Sequence, residues 1–83
     1  MIELGDKIIL LKIVSDMEDL INKLIASGRI TRDSVEYKTL DAIYKRNENL
    51  TIKENNSIED LIKFYHNYQI SKEIYDACMK EVF

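Results

Sequence analysis

At 83 residues the chain is one domain with a limited core, able to bury roughly 60–65% of its unfolded surface, so burial against a partner would add usefully to its stability. It has no proline and two glycines, Gly5 and Gly28, which argues against a hairpin-rich β fold, because tight hairpin turns need positive φ. A composition of 33% charged and 46% hydrophobic residues is globular rather than disordered, and a net charge of −3 lacks the basic excess usual in nucleic-acid-binding domains.

The first element expected is a long helix over residues 6–27. Leu10, Val14, Met17, Ile21 and Leu24 follow one another at spacings of 4, 3, 4 and 3, which places them on one side of a helix. Ile13, Leu20 and Ile25 widen that seam into the stripe of a core-facing helix. Residues 1–5 read as a lead-in, with Asp6 as N-cap after Gly5. The first turn, Ile8 to Leu11, is apolar almost all round and wants neighbours on more than one side. Gly28 is placed to end the helix in the left-handed conformation, with Ile30 folding back on the last turn.

A second helix is expected over 34–46. Asp33 and Glu36 have capping-box spacing, and Thr31 is the other candidate cap. Tyr37, Leu40 and Tyr44 share its inner face with Ile43 beside them, and Lys45 and Arg46 suit the dipole at its end. Residues 47–56 then read as a ten-residue irregular loop rich in Asn and Glu and pinned by Leu50 and Ile52. Ser57 opens a third helix over 58–67, on which Ile58, Leu61, Ile62, Tyr65 and Tyr68 recur at helical spacing. The apolar phase shifts at Ile70, and Ser71 resembles a new N-cap. The expectation is therefore a kink and a fourth helix over 72–82, with a single bent helix as the alternative. The fold class is all-α: a small bundle of about four helices in a single domain over 1–83, the first helix long, with a ten-residue loop between the second and third. The core is expected to hold Leu10, Ile13, Val14, Met17, Leu20, Ile21, Leu24, Ile30, Leu40, Ile43, Ile58, Leu61, Ile62, Tyr65, Ile74 and Cys78.

The search for chemistry yields little. His66 and Cys78 are the only residues of their kinds, twelve positions apart, with nothing to orient them as a nucleophile pair and too few nitrogen and sulfur donors for zinc. No calcium-loop pattern and no glycine-rich phosphate loop is present. Acid pairs such as Asp16/Asp19 sit on polar helix faces. No enzymatic activity, metal or cofactor is expected. The lone Cys78 agrees with a reducing compartment. No run of about 18 uncharged apolar residues suggests a membrane span, and no secretion signal is legible, so a cytoplasmic location is the default.

Two surfaces remain. The stretch from Gly28 to Arg46 follows a helix and a glycine turn, the outline of a helix-turn-helix. In that reading Arg29 and Arg32 hold phosphates, Ser34, Tyr37 and Lys38 enter the major groove, and Lys45 and Arg46 reach flanking phosphate. Residues 22–53 do carry seven bases against four acids, between an acidic first part and an acidic last part. Yet Asp33, Glu36 and Asp41 interrupt the recognition helix of that reading, and a capped αα-hairpin explains the stretch as well. The other surface is apolar. Ile8, Ile9, Leu11 and Ile25 lie partly outside the main seam of helix 1, and Tyr37, Tyr44 and Tyr68 are aromatics of the kind that anchor interfaces. The leading expectation is a non-enzymatic regulatory module that binds, or inhibits, a protein partner and forms a homodimer through helix 1. The alternative is a small DNA-binding regulator. The abundance of Ile, Lys, Asn and Tyr suggests an AT-rich genome, in which small accessory proteins of phages and mobile elements are common.

Overall fold

The computed structural model describes residues 4–80. They form α1 (Leu4–Ala26), α2 (Val35–Ile52) and α3 (Ile58–Lys80), with no strand among the described residues. The all-α expectation holds, but there are three helices rather than about four.

In α1 the 4-3-4-3 seam is buried throughout: Leu10, Val14, Met17, Ile21 and Leu24. The helix begins earlier than expected. Gly5 and Asp6 lie inside it rather than before it, and residues 1–3 of the expected lead-in lie outside the described residues. It ends as its residues predict. Gly28 has φ +75°, its N–H donates to the Ile25 carbonyl, and the Arg29 N–H donates to the Leu24 carbonyl, both at 3.0 Å. This is the paired bonding of a Schellman turn. Ile30 is then buried against Ile21 and Leu24.

The cap of α2 is Ser34, not Asp33 or Thr31. Its extended backbone lets Oγ accept from the Tyr37 N–H at 3.1 Å, while the hydroxyl donates to the Thr31 carbonyl at 2.7 Å. Glu36 thus falls one place short of a capping-box position. The helix does not stop at Arg46 but continues to Ile52, so the expected ten-residue loop shrinks to residues 53–57. Asn47 continues the inner face of Leu40 and Ile43, and Leu50 packs against the core three residues later. Polar Asn and Glu look like loop residues because they are mediocre helix formers, and tertiary packing overrides that preference. Ile52, expected as an anchor, is 74% exposed.

Ser57 opens α3 with a reciprocal box. The Asp60 N–H donates to Ser57 Oγ at 3.1 Å, and the Ser57 N–H donates to Asp60 Oδ2 at 3.2 Å. The helix then runs to Lys80 without a break at 68–71, and residues 81–83, including the expected end of a fourth helix, lie outside the described residues. The reason is that its buried positions are Phe64, Ser71 and Cys78, one every seven residues. Ile58, Ile62 and Tyr65, expected in the core, are exposed, so the phase shift read at Ile70 came from following the wrong stripe. Ser71 is a mid-helix buried residue rather than a cap.

The helices pack up-down-up. Leu24 of α1 meets Leu40 near the start of α2, and Lys7 meets the end of α2, so these two run antiparallel. Leu10 and Val14 pack with Phe64, and Ile21 and Leu24 with Cys78, so α1 and α3 run parallel. The bundle measures 46 × 19 × 18 Å. One core cluster joins Ile21, Leu24, Ile30, Leu40 and Cys78, flanked by Ile25, Tyr37, Tyr44, Ile74 and Tyr75. The other joins Leu10, Val14 and Phe64, flanked by Ile13, Tyr44, Leu50 and Leu61.

Asn47 lies between the clusters and is fully buried. Its amide donates to the Phe64 carbonyl at 3.1 Å and approaches Met17 Sδ at 3.1 Å, and its carbonyl oxygen accepts from Asn67 at 2.9 Å. One side chain therefore bonds to both other helices. A buried amide satisfied in this way disfavours alternative registers, since a slip would strand it.

Candidate interaction surface

The surface of interest lies at the end of the bundle where α1 begins, α2 ends and α3 begins. Polar ties hold this end. The Lys7 ammonium donates to the Thr51 carbonyl and to Asn56 Oδ1, both at 2.9 Å, and to the Lys53 carbonyl. Asn56 in turn donates to the Leu50 carbonyl at 2.8 Å. A cation among the terminal carbonyls of α2 also meets the negative end of its dipole. Lys53 closes the outside, its ammonium 2.8 Å from Asp60. That contact, followed by the Ser57 N–H bond, holds the Asp60 carboxyl below the usual carboxylate range.

With Lys7 fixed in the seam, the next residues of α1 point outward. Ile8, Ile9 and Leu11 are 61%, 52% and 54% exposed. On α3, Ile58, Ile62 and Tyr65 are 77%, 64% and 48% exposed. The expectation placed the α3 residues in the core, so this half of the surface was missed. The available clue was Phe64, the only position of α3 whose spacing to Ser71 and Cys78 repeats every seven residues.

The other residues expected at a protein interface are already engaged. Ile25, Tyr37 and Tyr44 pack against the core. The Tyr44 hydroxyl lies 3.2 Å from Glu18 and 3.3 Å from Glu48. Burial, then the hydrogen bond and charge of Glu18 and the charge of Glu48, push its pKa up to about 12. Tyr68 is half-buried, with the Lys72 ammonium 5.1 Å from its ring centre.

The residues of the DNA reading do not gather into one surface. Ser34 is committed to the cap, Tyr37 to the core, and Arg29 is half-buried with its Nε unpartnered. Lys45 pairs with Asp41 at 3.0 Å, which raises the pKa of the lysine. Lys38 and Arg46 flank a shallow groove of about 380 Å³ along α2, with Val35, Thr39, Ala42 and Ile43. Arg32 is exposed. Because α1 and α2 lie alongside each other through their length, α2 does not project from the turn as a recognition helix does.

Among the described residues no three His, Cys, Asp or Glu side chains are grouped to hold a metal ion, and no helix is long and apolar enough to cross a membrane. His66 is exposed and Cys78 is buried. We found no match to this chain among protein-family models, curated proteins or solved structures.

Proposed function

We propose that this chain is a non-enzymatic protein-interaction module that regulates or inhibits a protein partner by binding it, and that it self-associates through α1. The observation that carries the reading is the exposure of Ile8, Ile9 and Leu11 on a helix whose inner seam is already filled. A monomer gains nothing by holding three large aliphatic side chains in water within one helical turn, and a partner would remove them from it. Scattered exposed apolar residues are ordinary, but here they are concentrated where a polar clamp, rather than apolar packing, holds the bundle end.

The test is a double substitution, Ile9→Lys with Leu11→Lys, followed by sedimentation equilibrium and circular dichroism. The expected result is loss of association at unchanged helicity. An unchanged association state would remove the α1 surface from consideration. The lesser reading, duplex binding, rests on the exposed Arg32, Lys38 and Arg46. It requires a salt-sensitive anisotropy change with random duplex DNA that Arg32→Ala and Lys38→Ala abolish.

A further inference from the structure

The first two helices end in opposite ways. At the end of α1 the chain caps itself: Gly28 turns left-handed, and the Gly28 and Arg29 N–H groups bond back to the Ile25 and Leu24 carbonyls. At the end of α2 it does not. Lys53 leaves the helix at φ −59° and ψ 139°, and no residue there has positive φ. Outside the helices' own ladders, no backbone N–H among the described residues donates to the Leu50, Thr51 or Lys53 carbonyl. Side chains take over. Asn56 donates to the Leu50 carbonyl at 2.8 Å. Lys7, 44 residues before Thr51, donates to the Thr51 carbonyl at 2.9 Å and to the Lys53 carbonyl at 2.5 Å. The third contact of its ammonium is Asn56 Oδ1 at 2.9 Å. Three oxygens thus meet the three N–H donors of one ammonium. The Asn56 oxygen is held in place, because that side chain is buried and its nitrogen is committed to Leu50. None of the three oxygens belongs to a carboxylate, and the nearby Asp60 carboxylate is engaged by Lys53 at 2.8 Å. Neutral oxygens in this number suit an ammonium better than a divalent ion, which takes more oxygens and draws on carboxylates.

We propose that Thr51, Lys53 and Asn56 form a binding site for a primary ammonium group, filled in the folded chain by Lys7, and that its occupancy decides whether the last turn of α2 is ordered. Residues 49–52 have little else to hold them. Asn49 and Thr51 are poor helix formers, Ile52 is exposed, and Leu50 alone of the four packs against the core. The open carbonyls and the helix dipole concentrate negative charge at this end, and the ammonium neutralises it. The helical state of the turn is therefore conditional on α1. Drawing the first turns of α1 away from the bundle empties the site and releases the end of α2, whatever the outer face of α1 binds.

Chemical rescue of Lys7→Ala tests this, read by amide hydrogen exchange on the full chain with circular dichroism as the folding control. Propylammonium replaces the part of the side chain that the substitution removes. Lys7→Ala should lower the protection of the amides of residues 50–52 about fivefold and leave those around Leu24 and Leu40 unchanged. Propylammonium chloride should restore most of that protection, and the recovery should saturate. Tetramethylammonium chloride at equal ionic strength should not, because it has no N–H to donate. Lys7→Met should lose the same protection and respond to neither salt, since its own stem occupies the approach to the oxygens. Equal recovery in both salts would show a general effect of ionic strength and overturn the site. No recovery in propylammonium would overturn it as well, as would unchanged protection in Lys7→Ala. A chain unfolded throughout by Lys7→Ala would overturn the local character of the device.

Discussion

The two ends of this bundle are closed by different means. Where α1 passes into α2, Ile21, Leu24, Ile30, Leu40 and Cys78 form a continuous apolar cluster, and tyrosines and isoleucines cover its flanks. At the other end the buried cluster is smaller, Leu10, Val14 and Phe64, and the closure is polar: Lys7 and Asn56 satisfy the last carbonyls of α2. The first end is finished by its own chain. The second keeps its shape through directional bonds and leaves isoleucines and leucine facing out. A small domain that spends its large side chains on an outer surface has less inside to stabilise it, and association offsets that deficit.

The widest contrast between the ends comes from truncating one leucine at each. Leu24→Ala should cost about 3 kcal/mol, because a fully buried side chain leaves a cavity, whereas Leu11→Ala should change the stability of the isolated chain by less than about 0.5 kcal/mol. Chemical denaturation at a concentration too low for association reads both. Equal losses would show that the two ends are not closed differently. Asn47→Ala, between the ends, should cost about 2 kcal/mol, since three contacts to the neighbouring helices vanish together. Hydrogen exchange should then show α2 loosening toward both clusters.

Lys7→Met isolates the polar end. It should cost about 1 kcal/mol by freeing the carbonyls of Thr51 and Lys53, and fast exchange should be confined to the last turn of α2. Ser71→Ala should act in the opposite direction. Its hydroxyl is buried without a partner, so removing it should stabilise the chain by about 1 kcal/mol in thermal melts. The smallest effect is on pH dependence. The Tyr44 phenol titrates near 12 in the folded chain against an ordinary 10.0, so its contribution is complete below pH 10 and is lost as pH rises through 12. Ultraviolet titration should show one late phenolate transition that Tyr44→Phe removes.

Much of the fold was legible residue by residue. The seam of α1, the Schellman turn at Gly28 and the start of α3 at Ser57 are all local devices. Each is set by spacing within a few residues and by whether a side chain can supply a missing bond or tolerate positive φ. The surface of α1 at Ile8, Ile9 and Leu11 was legible for the same reason, since a helix with one filled seam must turn its remaining apolar residues elsewhere.

Two stretches were misread, both because burial belongs to neighbours rather than to the residue. Residues 47–52 look like a loop until Phe64, Met17 and Asn67 surround Asn47 and make a helix of it. Ile58, Ile62 and Tyr65 look like core until Phe64, Ser71 and Cys78 take the inner positions of α3. Sequence by itself determined that the first helix forms and where it stops, because capping and periodicity act within one or two turns. Only the tertiary structure decided which stripe of α3 faces inward and how far α2 extends. Those depend on side chains that the other two helices bring against them from distant parts of the chain, and no local spacing records that.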